Sequence, residues 1–138
     1  MNKTRCLFML LLVCFVFAAC GSKDGSVGSN GTTDKAADSS LGDPKGSIAY
    51  QFDLLKAGDV DKLKNCFTER QRERITKERI DKAREKIGQI TLDDLVASTE
   101  MGEYEGKKTA KIKMKNGRTL TTLILTDGKW LSDTIWFD

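Results

Sequence analysis

Four cysteines, at positions 6, 14, 20 and 66, are the only thiols in a chain of 138 residues that contains no histidine. Without imidazole there is no Ser-His-Asp arrangement, no imidazole general base and no histidine metal ligand. The thiols form no CxxC pair, and neither GxxxxGK nor GxGxxG occurs. No cofactor and no metal site is therefore implied. Residue type and spacing point to chemistry mainly at Cys20, which follows Ala18-Ala19 and precedes Gly21 at the end of an apolar run.

That run begins after Lys3 and Arg5 and extends unbroken from Cys6 to Ala19. As a helix it measures about 21 Å, short of the ~30 Å hydrocarbon core of a bilayer. A basic start, a short apolar middle and a small-residue end describe a secretory signal rather than a membrane-crossing helix, which is the alternative. Phe17-Ala18-Ala19-Cys20-Gly21 resembles the lipobox of bacterial lipoproteins, with Phe17 where leucine is usual. The resemblance implies cleavage after Ala19, a diacylglyceryl group on the Cys20 sulfur and acylation of the new amine. Two or three acyl chains anchor stably where one binds only marginally. The expected address is the cell envelope, with the membrane as the first partner. In a Gram-negative source, Gly21 in place of an aspartate favours the outer membrane.

Residues 1–19 carry two of the 23 basic residues and none of the 20 acidic ones, so the remainder is nearly neutral. That balance implies no nucleic-acid partner. It also leaves Cys66 as the one thiol not assigned to signal or anchor, so no internal disulfide is expected and stability rests on a packed core. Residues 20–42 are dominated by Gly, Ser, Asp and Thr and read as the lipidated cysteine followed by a disordered tether.

A domain follows over residues 43–138. Asp43 is placed to cap a helix with Pro44 in its first turn, Ile48, Ala49, Phe52 and Leu55 on one face, and Gly58 at its stop. Asp59 caps a second, short helix that puts Val60, Leu63, Cys66 and Phe67 on a shared face, which makes Cys66 a core thiol. Thr68 and Gln71 have capping-box spacing, and Thr76 starts a further helix with Ile80, Ala83 and Ile87 inward. Between Glu69 and Lys86 stand eight basic and five acidic residues, including Glu73–Lys77 and Glu78–Lys82 at i,i+4. This is a solvated face, or a surface on which Arg70, Arg74, Lys77 and Arg84 touch anionic lipid headgroups.

After a single turn at "TLDDLV" the pattern changes to period two. Ser98–Tyr104 reads as a strand. Ala110, Ile112 and Met114 alternate with lysines in a second, and Asn116-Gly117 makes a hairpin. Leu120–Leu125 is apolar on both faces and so central. Asp127-Gly128 turns into a last strand, Lys129–Phe137. The fold class is α+β, with N-terminal helices packed on a curled antiparallel sheet of about four strands.

Two stretches, "LLKAGDVDKLKNCF" and "LTDGKWLSDTIWF", resemble the nuclear-transport-factor-two-like superfamily, over residues 44–138. The resemblance implies the cone-shaped fold shared with ketosteroid isomerases and SnoaL-type cyclases, as borne by small bacterial lipoproteins. The chain is short, and a charged helical segment stands where an early strand often lies; both argue against a roomy pocket. Isomerase chemistry requires a carboxylate base and an oxyanion donor in an apolar cone. Tyr50, Tyr104 and Asp133 are the residue types on hand, and none matches a family motif. Trp130 reads as core, while Trp136 faces either the core or a second subunit docked through the sheet. With Tyr50 and Tyr104 these tryptophans are the candidate contacts for a ligand or partner. The leading expectation is a non-catalytic lipoprotein that binds an envelope protein or a small apolar ligand, or supports an envelope assembly. The alternative is a small enzyme of the isomerase or cyclase type.

Overall fold

The computed structural model describes residues 39–138, and the structural statements below concern these residues. Helix α1 (Pro44–Ala57) starts where Asp43 accepts the Gly46 N–H at 2.9 Å and ends at Gly58, whose φ of 75° turns the chain into the left-handed region. Asp59 then accepts the Lys62 N–H and opens α2 (Val60–Asn65). Two short helices, α3 (Glu69–Arg72) and α5 (Leu92–Leu95), flank α4 (Lys77–Ile87), which Thr76 caps through the Arg79 N–H. Thr68 precedes α3 but forms no side-chain cap; its hydroxyl is oriented toward Asp133, to which it donates. The spacing signal there was correct for a helix start and wrong for the bond.

Leu41, assigned above to the tether, is 5% exposed, and its carbonyl accepts the Trp130 N–H at 2.8 Å. A single leucine among small polar residues is a weak signal for burial, since burial needs a partner far along the chain.

The sheet is an antiparallel meander of β1 (Val96–Tyr104), β2 (Lys107–Met114), β3 (Thr119–Thr126) and β4 (Lys129–Ser132), in that spatial order and not closed. Leu120–Leu125 is central as its two apolar faces require. Both tight turns at Glu105-Gly106 and Asp127-Gly128 place two consecutive residues at positive φ, the conformation whose twist suits hairpins. The Asn116-Gly117 turn differs: only Gly117 has positive φ, while the Asn116 side chain accepts the Arg118 N–H.

The last strand is four residues long, not nine. Beyond Ser132 the Asp133 N–H bonds the Thr122 carbonyl, and the chain crosses back over the core. Trp136 stacks on Phe52 at 6.0 Å and Phe137 meets Phe67 edge-on. Apolar residues at both parities here serve that crossover, not two faces of a strand. The far edge of β4 is covered: Ser132 donates its N–H to the Cys66 carbonyl, and the Thr68 N–H donates to the Ser132 carbonyl.

The core forms two clusters. One gathers Leu54, Leu55, Leu63, Phe67, Ile75 and Ile80 between the helices. The other sets Ile48 of α1 against Ala110, Ile112, Leu123 and Trp130 of the sheet. Trp136 packs against both. Helix α1 lies between the two, so its buried stripe also takes in Ser47 and Gln51, which hydropathy alone assigns to solvent.

Candidate functional site

The space between α1 and the sheet holds a buried polar network centred on Gln51. Its Oε1 accepts the Ser132 hydroxyl at 2.8 Å and the Trp136 indole N–H at 3.0 Å. Its Nε2 donates to Ser47 Oγ at 3.1 Å, and Ser47 in turn donates to the Trp130 carbonyl at 2.6 Å. Thr121 extends the chain to Ser132 and to Thr134. Ser47, Gln51 and Ser132 are fully buried, and no buried side-chain polar atom among the described residues lacks a partner. Each buried side-chain donor or acceptor in this network has a protein partner. Buried polar groups paired in this way favour one packing arrangement over its alternatives.

The three residues considered for isomerase chemistry do not come together as a base and its donor. Asp133 is held by the Arg70 guanidinium at 2.6 Å and by the Thr68 hydroxyl at 2.9 Å, while its own carbonyl accepts from Gln71. Neither of its carboxylate partners is a tyrosine. Tyr104 stands 65% exposed at the end of β1, and Tyr50 is half-buried against the helical cluster. Trp130 is core, as expected. Trp136 is half-buried, with its N–H turned inward to Gln51 and its ring stacked on Phe52, so its polar and apolar contacts are both internal.

Two open clefts lie outside this interior. The larger, about 1000 Å³, runs between α3 and the sheet, with Ile124 and Leu131 as apolar lining and Thr68, Arg70, Lys129 and Asp133 as polar lining. The smaller, about 710 Å³, lies between Leu55 and Lys56 of α1 and Asp81, Arg84 and Ile87 of α4.

The four basic residues considered for headgroup contact divide into two pairs. Arg70 bonds Asp133, and Arg74 bonds the Oε1 of Gln71, which itself holds the Asp133 carbonyl. Lys77 pairs with Asp81 at 2.6 Å, and Arg84 approaches the same carboxylate at 3.8 Å while donating to the Lys56 carbonyl. Lys77 thus pairs forward with Asp81, while Glu78–Lys82 forms as its spacing predicts. That pair holds the Glu78 carboxyl below its ordinary value. Much of the cationic field is matched locally by acids.

Cys66 is 1% exposed, with its thiol directed at the Lys62 carbonyl. Burial, with a smaller contribution from the Asp59 charge, pushes its pKa up to about 12. Such a thiol is inert at neutral pH.

Charge is divided in blocks along the first hairpin. Residues 87–106 contain five acids and no base, and residues 107–118 contain six bases and no acid. The structure turns this division into two neighbouring strands. Glu100 lies opposite Lys111 and Glu103 opposite Lys108, and Glu100 also pairs diagonally with Lys113 at 3.5 Å. Among the described residues, strand β1 is an edge of the sheet; eight of its nine residues are exposed, among them Met101 at 61%. Counting charge by blocks rather than by helix faces would have exposed this signal.

Comparison with known protein families, curated proteins and solved structures finds no match. Cys20 and the bond after Ala19 lie outside the described residues. Among those described, no helix is long and apolar enough to cross a membrane.

Proposed function

We propose that the protein is a membrane-anchored lipoprotein whose nuclear-transport-factor-two-like α+β domain is a non-catalytic module that binds or supports other components of the cell envelope. The observation that carries this reading is the filled interior. Gln51, Ser47, Ser132 and Trp136 occupy the place a small apolar substrate would need. The pairing of Asp133 with Arg70 supports it further, because a carboxylate held by a guanidinium is a poor general base. The anchor rests on the Phe17–Gly21 sequence and on the position of Cys20 at the end of the apolar run.

The test is mass spectrometry of the full-length protein recovered from its own membranes, once denatured and once under native conditions. The denatured sample is expected to begin at Cys20 and to carry acyl mass, and Cys20→Ser is expected to accumulate as uncleaved precursor. An unmodified Cys20 in the membrane fraction overturns the anchor. The native sample is expected to show no retained small molecule. A stoichiometric apolar molecule released only on unfolding overturns the filled-interior reading and moves an isomerase-type enzyme to first place.

A further inference from the structure

We propose that the cleft between α3 and the outer face of the sheet seats the phosphate of an anionic lipid headgroup, drawn from the bilayer that holds Cys20. The inference rests on the anchor proposed above and gives the domain a defined surface toward that bilayer. Helix α1 packs on the sheet face that carries Ala110, Ile112, Leu123 and Trp130. On the opposite face Ile124 lies between Thr109 of β2 and Leu131 of β4, and Thr126 lies beside Lys129. Side chains alternate along a strand, so Lys107 and Lys111 share that outer face with Thr109. Lys107 and Lys129 line the cleft of about 1000 Å³, and α3 adds Arg70 and Arg72 to it.

The cations are positioned and several are unmatched. Arg72 is exposed and held from one side, its Nε donating to the Phe67 carbonyl at 3.1 Å. Its terminal nitrogens have no partner among the described residues, and a guanidinium fixed in this way offers a fork of N–H groups suited to phosphate oxygens. Lys107 and Lys111 are exposed and form no ion pair among the described residues; Glu100, opposite Lys111, pairs instead with Lys113. The acids of the cleft do not cancel these charges. Asp133 is turned to Arg70 and Thr68, while Glu69 and Asp127 pair with none of Arg72, Lys107 and Lys111. The course of the chain selects the source of the phosphate. Leu41 lines the same cleft, and its carbonyl takes the N–H of Trp130, between Lys129 and Leu131. Residues 21–38 separate Cys20 from Ser39 and span at most about 60 Å. A bilayer holding Cys20 is therefore always within reach of this cleft, and its headgroups are the anions met at the highest effective concentration.

The test is low-extent lysine acetylation, read by mass spectrometry, on the full-length lipidated protein in nanodiscs of phosphatidylcholine or of phosphatidylglycerol. Acetylation of Lys107, Lys111 and Lys129 is expected to fall about fivefold in phosphatidylglycerol, with Lys77 and Lys82 of α4 little changed. In R72E/K107E the shielding of Lys111 and Lys129 is expected to disappear. Equal labelling in the two lipids, or shielding that persists in R72E/K107E, overturns the proposal. A fall confined to Lys77 and Lys82 overturns it in favour of α4. Inorganic phosphate and a short glutamate peptide, each at millimolar concentration with phosphatidylcholine discs, distinguish other anions. Shielding of the cleft lysines as strong as in phosphatidylglycerol overturns the lipid source, in favour of a soluble phosphate with the first or an acidic protein segment with the second. Failure of the anchor is separately visible, as protein that elutes apart from phosphatidylcholine discs. The cleft lysines of such protein still report on phosphatidylglycerol discs added to it.

Discussion

Gln51 is the residue on which the interior depends. Replacing it with alanine removes the acceptor shared by Ser132 and Trp136 and the donor to Ser47, while Ser47 keeps its bond to the Trp130 carbonyl and Ser132 its contact with Thr121. Each of the three bonds lost contributes about 1 kcal/mol net, so Gln51→Ala is expected to lower stability by about 3 kcal/mol in urea unfolding. A loss under 1 kcal/mol means that water replaces the side chain and the interior is less tightly filled than its hydrogen bonds indicate. Cys66 offers a second measurement. Its thiol is expected to resist alkylation in the native protein and to react once unfolded. Its pKa is raised on folding, so the folded state holds the proton more tightly. The stability this gives is complete below the unfolded value near 9.0 and declines as pH rises toward about 12. Cys66→Ala is expected to flatten that alkaline decline.

Helix ends show how a short signal becomes structure when its bond is made locally. Asp59 caps α2, and Asp59→Ala is expected to cost about 1 kcal/mol, the usual worth of such a cap. Burial alone would raise the Asp59 carboxyl, but hydrogen bonds from Lys62 and the charge of its ammonium outweigh that and hold it below its ordinary value of 3.8. The contribution of ionised Asp59 is therefore present above pH 3.8 and disappears as pH falls through the lower folded value. Wild type and Asp59→Ala are expected to converge in stability only in strong acid. Convergence already at pH 5 contradicts the cap. Thr68 shows the opposite outcome: its hydroxyl turns to donate to a distant carboxylate, Asp133, and accepts no N–H of α3. Asp133→Asn is accordingly expected to loosen α3 against β4, seen as faster amide exchange at residues 68–72, with no effect on the cap of α2.

For the whole molecule, the proposed anchor sets the domain's basic residues beside a bilayer. Near an anionic surface each exposed lysine or arginine contributes about 1 kcal/mol, within a Debye length of roughly 8–10 Å. Asp133 and Asp81 sit within that distance of Arg70, Lys77 and Arg84 and offset part of their field. A soluble version beginning at Ser39, which keeps the buried Leu41, is expected to bind phosphatidylserine vesicles at 10 mM salt and to release them by 150 mM. Reversing Arg70, Arg74 and Lys77 is expected to abolish the low-salt binding. If flotation of that triple variant matches wild type, the basic residues serve only the solvated surface.

The sequence by itself determined the elements whose causes lie within a few residues. Asp43-Pro44 and Gly58 bounded α1, Asp59 and Thr76 opened their helices, and Asp127-Gly128 turned its hairpin, because caps and turns are bonds between near neighbours. The periods of 3.6 and two placed helices before strands and made Leu120–Leu125 central. Tertiary structure decided what depends on residues far apart. It buried Leu41 under Trp130, drew Gln51 inward because Ser132 and Trp136 complete its bonds, and bent Asp133–Asp138 off the sheet to pack on Phe52 and Phe67. It also exposed β1 as an edge. The charges of that strand were written in the sequence, but which strand lies outermost depends on pairing across the sheet, and hydropathy along one segment does not encode its neighbours.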